Sequence, residues 1–191
     1  MKNKEECRLN SLTWGRVNGQ VKEVKEENRE ETHDTCSVTL KAFVVPLEDP
    51  DPSFDFSLKL NRQIFRPGEK LEVTITPTAP MYITLFQWLP YVRGEPNVLR
   101  IFPNEKDGGG LFKGVLKIPN PEKEYSLHVE FPAEGMKEAT ETQEFIMAVA
   151  TKKPTVFLDA YKLEAFERKL GELTPKNHRL KRGGYQVIKG Q

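Results

Sequence analysis

Few residues in this chain are of a type and spacing that could support catalysis or bind a metal ion. The three histidines, His33, His128 and His178, are far from one another in sequence, and so are the two cysteines, Cys7 and Cys36. A zinc site needs about four such ligands in one compact cluster. The sequence therefore predicts no metal site, no cofactor and no catalytic residue, and it indicates a non-enzymatic protein.

Three other segments resemble reactive or ion-binding motifs only at first sight. Cys36 falls on the apolar face of a predicted strand, where a thiol lacks the base and the positive charge that a nucleophile needs. Asp107-Gly-Gly-Gly110 is not followed by the Lys-Ser or Lys-Thr of a phosphate loop, and it leads into a predicted strand. The acidic clusters Glu26-Glu27, Glu30-Glu31 and Glu48–Asp51 lack the alternating oxygen ligands and interposed glycine of a calcium loop. The simpler interpretations are a buried core residue for Cys36, a flexible loop for residues 107–110, and solvated surface charge for the acidic residues.

One cluster of side chains is typical of a contact surface. Aromatic and apolar residues surround Pro90 just before a predicted turn, where a strand leaves the sheet. Aromatic residues and arginine at such places are enriched in interfaces. The candidate interaction patch comprises Trp88, Tyr91, Val92 and Arg93. The alternative is that Phe86 and Trp88 fill the core and leave Tyr91 as the exposed aromatic residue.

The charge of the chain argues against nucleic acid as a partner. Lysine and arginine number 29 against 28 aspartate and glutamate residues, so the formal net charge is +1, and the two signs are interspersed. Proteins that bind nucleic acid usually gather a basic surplus on one face. No stretch approaches the ~20 apolar residues that span a bilayer, so we predict no transmembrane segment.

The sequence leaves the compartment and the oligomeric state open. The first residues are charged and no apolar core of a secretory signal follows. The chain is therefore either cytoplasmic or an internal piece of an exported protein. Cys7 and Cys36 allow one disulfide in an oxidising compartment or two thiols in a reducing one.

Alternation of apolar and polar residues predicts a long β-hairpin over residues 1–45. One strand is centred on Val17–Val21, and the other runs from Cys36 to Val44. The connecting run Glu26–Asp34 is almost wholly polar and predicts an exposed hairpin tip. Three prolines in residues 46–53 then predict a semi-rigid linker and a domain boundary.

Residues 54–152 predict an antiparallel β-sandwich, because short alternating segments are separated by turns that contain proline and glycine. The predicted strands are Phe56–Leu60, Leu71–Thr76, Tyr82–Trp88, Val98–Phe102, Phe112–Ile118, Tyr125–Phe131 and Phe145–Ala150. The inward-facing residues are predicted to include Leu58, Leu60, Val73, Ile75, Leu85, Phe102, Val115, Leu127, Val129 and Ile146.

Residues 153–191 predict an amphipathic helix followed by a short strand. Apolar residues recur at steps of three and four between Pro154 and Pro175. They are Val156, Ala160, Leu163, Phe166, Leu170 and Leu173. We expect the helix and an edge strand at Tyr185–Ile188 to cover the N-terminal hairpin as a small α+β unit, because an isolated hairpin is only marginally stable. The alternative is that the helix caps the sandwich.

Five segments of the sandwich region also resemble a known family in their order and spacing. They are Ile64-Phe-Arg-Pro-Gly68, Leu71-Glu-Val-Thr-Ile75, Met81-Tyr-Ile-Thr-Leu-Phe86, Leu99-Arg-Ile-Phe-Pro-Asn104 and Glu144-Phe-Ile-Met-Ala-Val149. Together they resemble the bacterial domain-of-unknown-function family numbered forty-three eighty-four, over about residues 56–151. The chain departs from that pattern at Phe65, Met81 and Ile101, where tyrosine, glycine and leucine are usual.

The turns in these segments have a plain structural interpretation. The motif residues are Arg66, Pro67, Gly68, Phe102, Pro103 and Asn104. Pro67 and Gly68 fit the central positions of a turn that needs one positive φ. Phe102 is predicted to plug the core at a strand end, and Pro103 to end the ladder. Asn104 is predicted to hydrogen-bond its own turn.

The resemblance implies a β-sandwich module without an assigned activity. Such modules are found in envelope and lipoprotein-like proteins, often behind another domain, whose closing strands the hairpin here resembles. It therefore implies a non-enzymatic protein- or surface-glycan-interaction module of a bacterial cell-envelope protein, periplasmic if an upstream signal exists. The implied partners are other envelope proteins or a surface polymer. The alternative function is a regulatory accessory domain of an attached enzyme such as a kinase or a protease.

Overall fold

A computed structural model describes residues 19–32, 36–46, 49–132 and 139–189. The protein is mainly β with one short helix near its C-terminal end, which confirms the predicted fold class. The chain divides into two compact units, Met1–Asp49 and Pro50–Gln191. No helix in the described ranges has the length and apolar character needed to cross a bilayer.

The first unit is a two-stranded antiparallel sheet. Strand β1 spans Gly19–Glu31 and β2 spans Cys36–Pro46. The register shift between Val21 and Glu23 keeps Val21 and Val24 opposite Val44 and Ala42, so this bulge holds these four apolar residues on one face; a second shift lies between Glu26 and Asn28.

Most of the run predicted as an exposed tip is strand. Glu26 pairs with Leu40, and residues 28–31 pair with residues 36–39. These residues are exposed, as predicted, but they belong to a paired strand and not to the hairpin tip, because backbone hydrogen bonds build a ladder whether or not the side chains are apolar. A Lys41–Glu27 ion pair of 3.0 Å also joins the two strands. The predictions for residues before 19 and for His33 lie outside the described residues, as does Cys7.

The second unit is a sandwich of two main sheets with one helix. Its elements in chain order are β3 (Phe56–Leu60), β4 (Ile64–Phe65), β5 (Lys70–Leu71), β6 (Val73–Pro77), β7 (Met81–Trp88), β8 (Val98–Phe102), β9 (Leu111–Phe112), β10 (Leu116–Ile118), β11 (Leu127–His128), β12 (Glu141–Thr151), β13 (Ala160–Tyr161), α1 (Leu163–Gly171) and β14 (His178–Ile188). A seven-stranded sheet has the order β13-β8-β7-β12-β14-β4, with β9 also paired to β7. A three-stranded sheet has the order β10-β6-β3, and β11 pairs with β5. The β14–β4 pair is parallel and the other described pairs are antiparallel.

The sandwich core lies between the seven-stranded and the three-stranded sheets. Successive strand residues point to opposite faces, so every second side chain enters this core. Predicted inward residues that are buried here are Val73, Ile75, Leu85, Phe102, Val129 and Ile146, while Leu58, Leu60 and Leu127 are partly buried against them. Val115 is the error: it is 60% exposed, because β10 begins one residue later and Leu116 takes the inward position.

The C-terminal segment covers the other face of the seven-stranded sheet. The ring of buried Phe86 meets Phe157 and Phe166 edge-on, with centroids 5.5 and 4.7 Å away. Residues 155–158 form neither helix nor strand: Val156 is 85% exposed, and the helix begins only at Leu163. Pairing of β13 with β8 overrides the helical period of the sequence.

The predicted docking of the helix and last strand onto the hairpin is wrong. Phe166 packs against Phe86 of the sandwich, as in the alternative that the helix caps the sandwich. The last strand is no short edge strand at Tyr185–Ile188 but the eleven-residue β14, which lies between β12 and β4. Its backbone pairs with β12 from Glu141 to Thr151.

The predicted linker is divided between the two units. Pro46 ends β2, whereas residues 50–53 belong with the sandwich. The Asp51 carboxylate accepts a hydrogen bond from the Ser53 amide at 3.0 Å and pairs with the Lys152 ammonium at 2.5 Å. Phe54 follows with 2% of its surface exposed. These contacts start the second unit at Pro50 rather than at residue 54.

Candidate functional site

The predicted interaction patch lies at the end of β7 and in the β7–β8 loop, residues 89–97. Trp88 is 4% exposed and stacks on Phe145 with ring centroids 5.0 Å apart. Its assignment to a contact surface is therefore wrong, because strand alternation puts it on the covered face with Phe86. Tyr91 and Val92 are half-buried, and Arg93 is exposed.

Hydrogen bonds fold the β7–β8 loop back on itself. The Leu89 amide donates to the Asn97 carbonyl at 2.8 Å, and the Val92 amide donates to the Leu89 carbonyl at 3.1 Å. The Asn97 side-chain oxygen accepts from the Leu163 amide at 3.1 Å, which ties the loop to the start of α1. The loop is therefore attached both to the sheet and to the helix.

Tyr91 reaches from this loop to a buried carboxylate that the sequence analysis missed. Glu144, on β12, is 1% exposed. Its Oε1 accepts from the Tyr91 hydroxyl at 2.7 Å, and its Oε2 accepts from the Tyr185 hydroxyl at 2.5 Å and from Gln87 Nε2 at 2.9 Å. Three donors thus replace the water that a buried carboxylate loses.

Strand register explains how these side chains meet. Glu144 lies directly opposite Tyr185 on β14, and Gln87 lies opposite Ile146, the next residue of β12 on the same face. Burial and the Glu144 charge raise the pKa of Tyr91 and of Tyr185 well above the usual value. Both hydroxyls therefore stay protonated and keep donating over the neutral pH range.

The Arg66-Pro67-Gly68 segment forms the predicted turn. Gly68 has φ +87°, the region that favours glycine. The Glu69 amide donates to the Arg66 carbonyl at 3.1 Å, and Glu69 Oε2 accepts from the Arg66 amide at 2.8 Å. The Gly68 amide donates to the Val129 carbonyl at 2.8 Å, and this hydrogen bond joins the turn to the residue that follows β11. The turn thus has a structural role.

The second motif also builds a turn. Phe102 is completely buried. Asn104 Oδ1 accepts from the amides of Lys106 and Asp107 at 2.9 and 2.8 Å, and its Nδ2 donates to the Ile101 carbonyl at 2.9 Å. Asn104 therefore bonds its own turn, as predicted.

The Asn104 turn also positions Tyr125, an aromatic residue that the sequence analysis did not single out. Asp107 is 5% exposed, and its Oδ2 accepts from the Tyr125 hydroxyl at 2.9 Å and from the Asn120 amide at 3.1 Å. Burial, aided by the Asp107 carboxylate, raises the pKa of Tyr125. The loop after β10 is thereby held against the Asn104 turn.

A groove of about 330 Å³ lies beside Tyr125, between residues 70–74 and 117–127. Its lining includes three lysines, Lys70, Lys117 and Lys123, and we call it the lysine groove. Its polar lining residues besides the lysines include Glu72, Thr74, Asn120, Tyr125 and Ser126. In the part of the chain that the structure describes, no three His, Cys, Asp or Glu side chains are grouped to hold a metal ion.

Comparison with known proteins adds no family. No protein-family model matches the chain, and no curated protein matches it significantly. The resemblance over residues 56–151 therefore stays a prediction.

Proposed function

We propose that this chain is a non-enzymatic interaction module of a bacterial cell-envelope protein, and that it contacts another envelope protein through the β7–β8 loop. The observation that carries the proposal is the hydrogen bond between buried Glu144 and Tyr91. Glu144 has no ion pair among the described residues, so three neutral donors alone compensate its burial. A carboxylate in such a place is costly, and here it anchors a surface loop.

A loop anchored in this way suits recognition. Binding costs less conformational entropy when the contact residues are already held in place. Arginine and tyrosine are, with tryptophan, enriched among energetically dominant contacts. Arg93 at the exposed part of the loop and half-buried Tyr91 and Val92 supply such a surface. Envelope location and periplasmic exposure are part of the same proposal.

Site-specific photo-crosslinking in the native bacterium tests this surface. A crosslinker placed at Val92 is expected to give a discrete adduct with an envelope protein, and Arg93→Glu is expected to abolish that adduct. The control crosslinker replaces Val115, which is 60% exposed in the same unit. Equal adducts at both positions, or an adduct that survives Arg93→Glu, would contradict the proposed surface.

The non-enzymatic part of the proposal needs its own test. His128 is exposed on β11, so a hydrolytic role for it is open to measurement. We expect a panel of ester, peptide and glycoside substrates to show no turnover above that of the His128→Ala variant. A turnover that disappears in that variant, or when Cys36 is changed, would show that the chain is an enzyme.

A further inference from the structure

The lysine groove gathers three lysine side chains against one acidic side chain of its described lining. Lys70 extends from β5, Lys117 from β10 and Lys123 from the following loop, and all three are exposed. None of them has an ion-pair partner among the described residues, and Glu72 is the one acidic side chain in the described lining. Cations gathered in a concave surface raise the local potential for anions.

The positive charge continues from the groove across the outer face of the three-stranded sheet. Thr74 of β6 pairs with Lys117 on one side and with Lys59 on the other. Residues paired across adjacent strands share a face, and neighbouring strands are about 4.8 Å apart. Lys59 and Lys117 therefore lie about 10 Å apart in one row, which leads into the groove.

The groove also has rigid, ring-bearing walls. Tyr125 is held by Asp107, and Pro119 and Pro121 lie along the same loop. The flat aromatic ring of Tyr125 can pack against the C–H face of a sugar ring, while the Asn120 and Ser126 side chains offer hydrogen bonds to hydroxyl groups. A few placed polar groups on an apolar support are typical of small-molecule and sugar sites.

Two other anionic partners fit the groove less well. Its aliphatic side chains are covered: Leu71, Val73 and Ile118 are at most 4% exposed and Leu127 is half-buried, so no fully exposed one is available to enter a lipid surface. Single-stranded nucleic acid usually needs several aromatic rings for successive bases, whereas Tyr125 is the one aromatic residue in the described lining.

We infer that the lysine groove binds a carboxylate-bearing polysaccharide. Lys70, Lys117 and Lys123 pair with its carboxylates, the Tyr125 ring packs on a sugar face, and the row through Lys59 extends the contact to further residues of the polymer. The inference rests on the proposed role as an interaction module, but it uses a surface other than the β7–β8 loop.

The test is titration of the whole chain with oligogalacturonate at low and at high salt. We expect binding that weakens as salt rises, and no binding of neutral malto-oligosaccharides of the same length. Changing Lys70, Lys117 and Lys123 together to glutamine is expected to weaken binding by roughly threefold to a hundredfold, since three exposed ion pairs are lost. Tyr125→Ala is expected to weaken binding of oligogalacturonate further. Thermal melting of each variant checks that it is folded.

A matched control separates the groove from general attraction between charges. Lys106, Lys153 and Lys162 are equally exposed and line no part of the groove, so changing them to glutamine keeps the same net charge as the groove variant. We expect this control to bind as the wild type does. The inference would be overturned if the two triple variants weakened binding equally, or if the wild type did not bind oligogalacturonate. It would also be overturned if single-stranded DNA or phosphatidylglycerol vesicles bound equally well through the same lysines.

The outcome is separable from the proposed protein contact. Arg93→Glu is expected to leave oligogalacturonate binding unchanged. Loss of the Val92 crosslink with intact polysaccharide binding would refute the β7–β8 loop alone, and the reverse result would refute the groove alone.

Discussion

Replacing Glu144 by leucine tests whether the buried network holds the β7–β8 loop in place. The Tyr185 hydroxyl, on a residue 2% exposed, loses its acceptor, and an unsatisfied buried group costs about 1–3 kcal/mol. Half-buried Tyr91 regains contact with water, and Gln87 keeps its 2.9 Å bond to the Tyr185 hydroxyl. The loss of bonds to a charged acceptor adds to this cost, while removal of a buried charge offsets part of it. We expect a net decrease in the free energy of unfolding of about 2–4 kcal/mol.

Urea unfolding at neutral pH measures that change, with Glu141→Leu as the matched control. Glu141 lies on the same strand but is exposed, so its replacement is expected to change stability by less than ~0.5 kcal/mol. Glu144→Gln keeps one carbonyl acceptor and should fall between the two.

Hydrogen exchange adds a local measurement on the same variants. In Glu144→Leu the amides of Leu89 and Val92 are expected to exchange faster, because the loop has lost its anchor. If Glu144→Leu unfolds at the same urea concentration as Glu141→Leu, and loop exchange is unchanged, the network does not hold the loop and the reasoning for the proposed function is refuted.

Three further predictions concern the second unit. Gly68→Val should lower the stability by about 1–2 kcal/mol, because φ is +87°; no atom lies within 4 Å of an added Cβ, so the cost comes from the backbone conformation alone. A thermal melt measures the change, and an unchanged midpoint would contradict the turn. Phe166→Ala should cost about 3–5 kcal/mol in urea, because the completely buried ring contacts Phe86; exchange protection should fall in β7. The hydrogen bond from Lys152 lowers the pKa of Asp51 in the folded protein. The ionised Asp51 therefore stabilises the fold at pH values above its pKa of about 3.9 in the unfolded chain, and this stabilisation is lost as the pH falls. The stability difference between the wild type and Asp51→Asn should therefore shrink below about pH 4, and a constant difference would count against it.

Strands whose pattern is local could be predicted from sequence, and those defined by distant partners could not. Phe56–Leu60 and Val98–Phe102 have the predicted bounds, because alternation alone determines which side chains face the core. The first seven residues of the eleven-residue β14 were missed, since Gly183-Gly184 favours a turn locally. In the fold the Phe145 ring lies 3.1 Å from an added Cβ at Gly184, so a side chain there would crowd that ring.

The candidate sites show the same limit. Tyr91 and Arg93 were recognisable because aromatic and basic residues near a turn are a local signal. Glu144 was not, because its partners Tyr91 and Tyr185 lie far away in sequence and meet it only through strand register. The lysine groove is likewise assembled from segments 70–74 and 117–127, each of which carries an ordinary number of charges.

The position of β14 has a consequence for how the protein is made. A ribosome releases the chain from its N-terminal end, so β12 emerges before the strand that pairs with all eleven of its residues. Until residue 188 is released, that largely apolar strand has one open edge, and β4 lacks its partner. An open apolar edge readily recruits strands from other chains. The nascent protein is therefore most prone to aggregate just before β14 is fully released from the ribosome, and a chaperone that binds extended apolar segments should act in that interval.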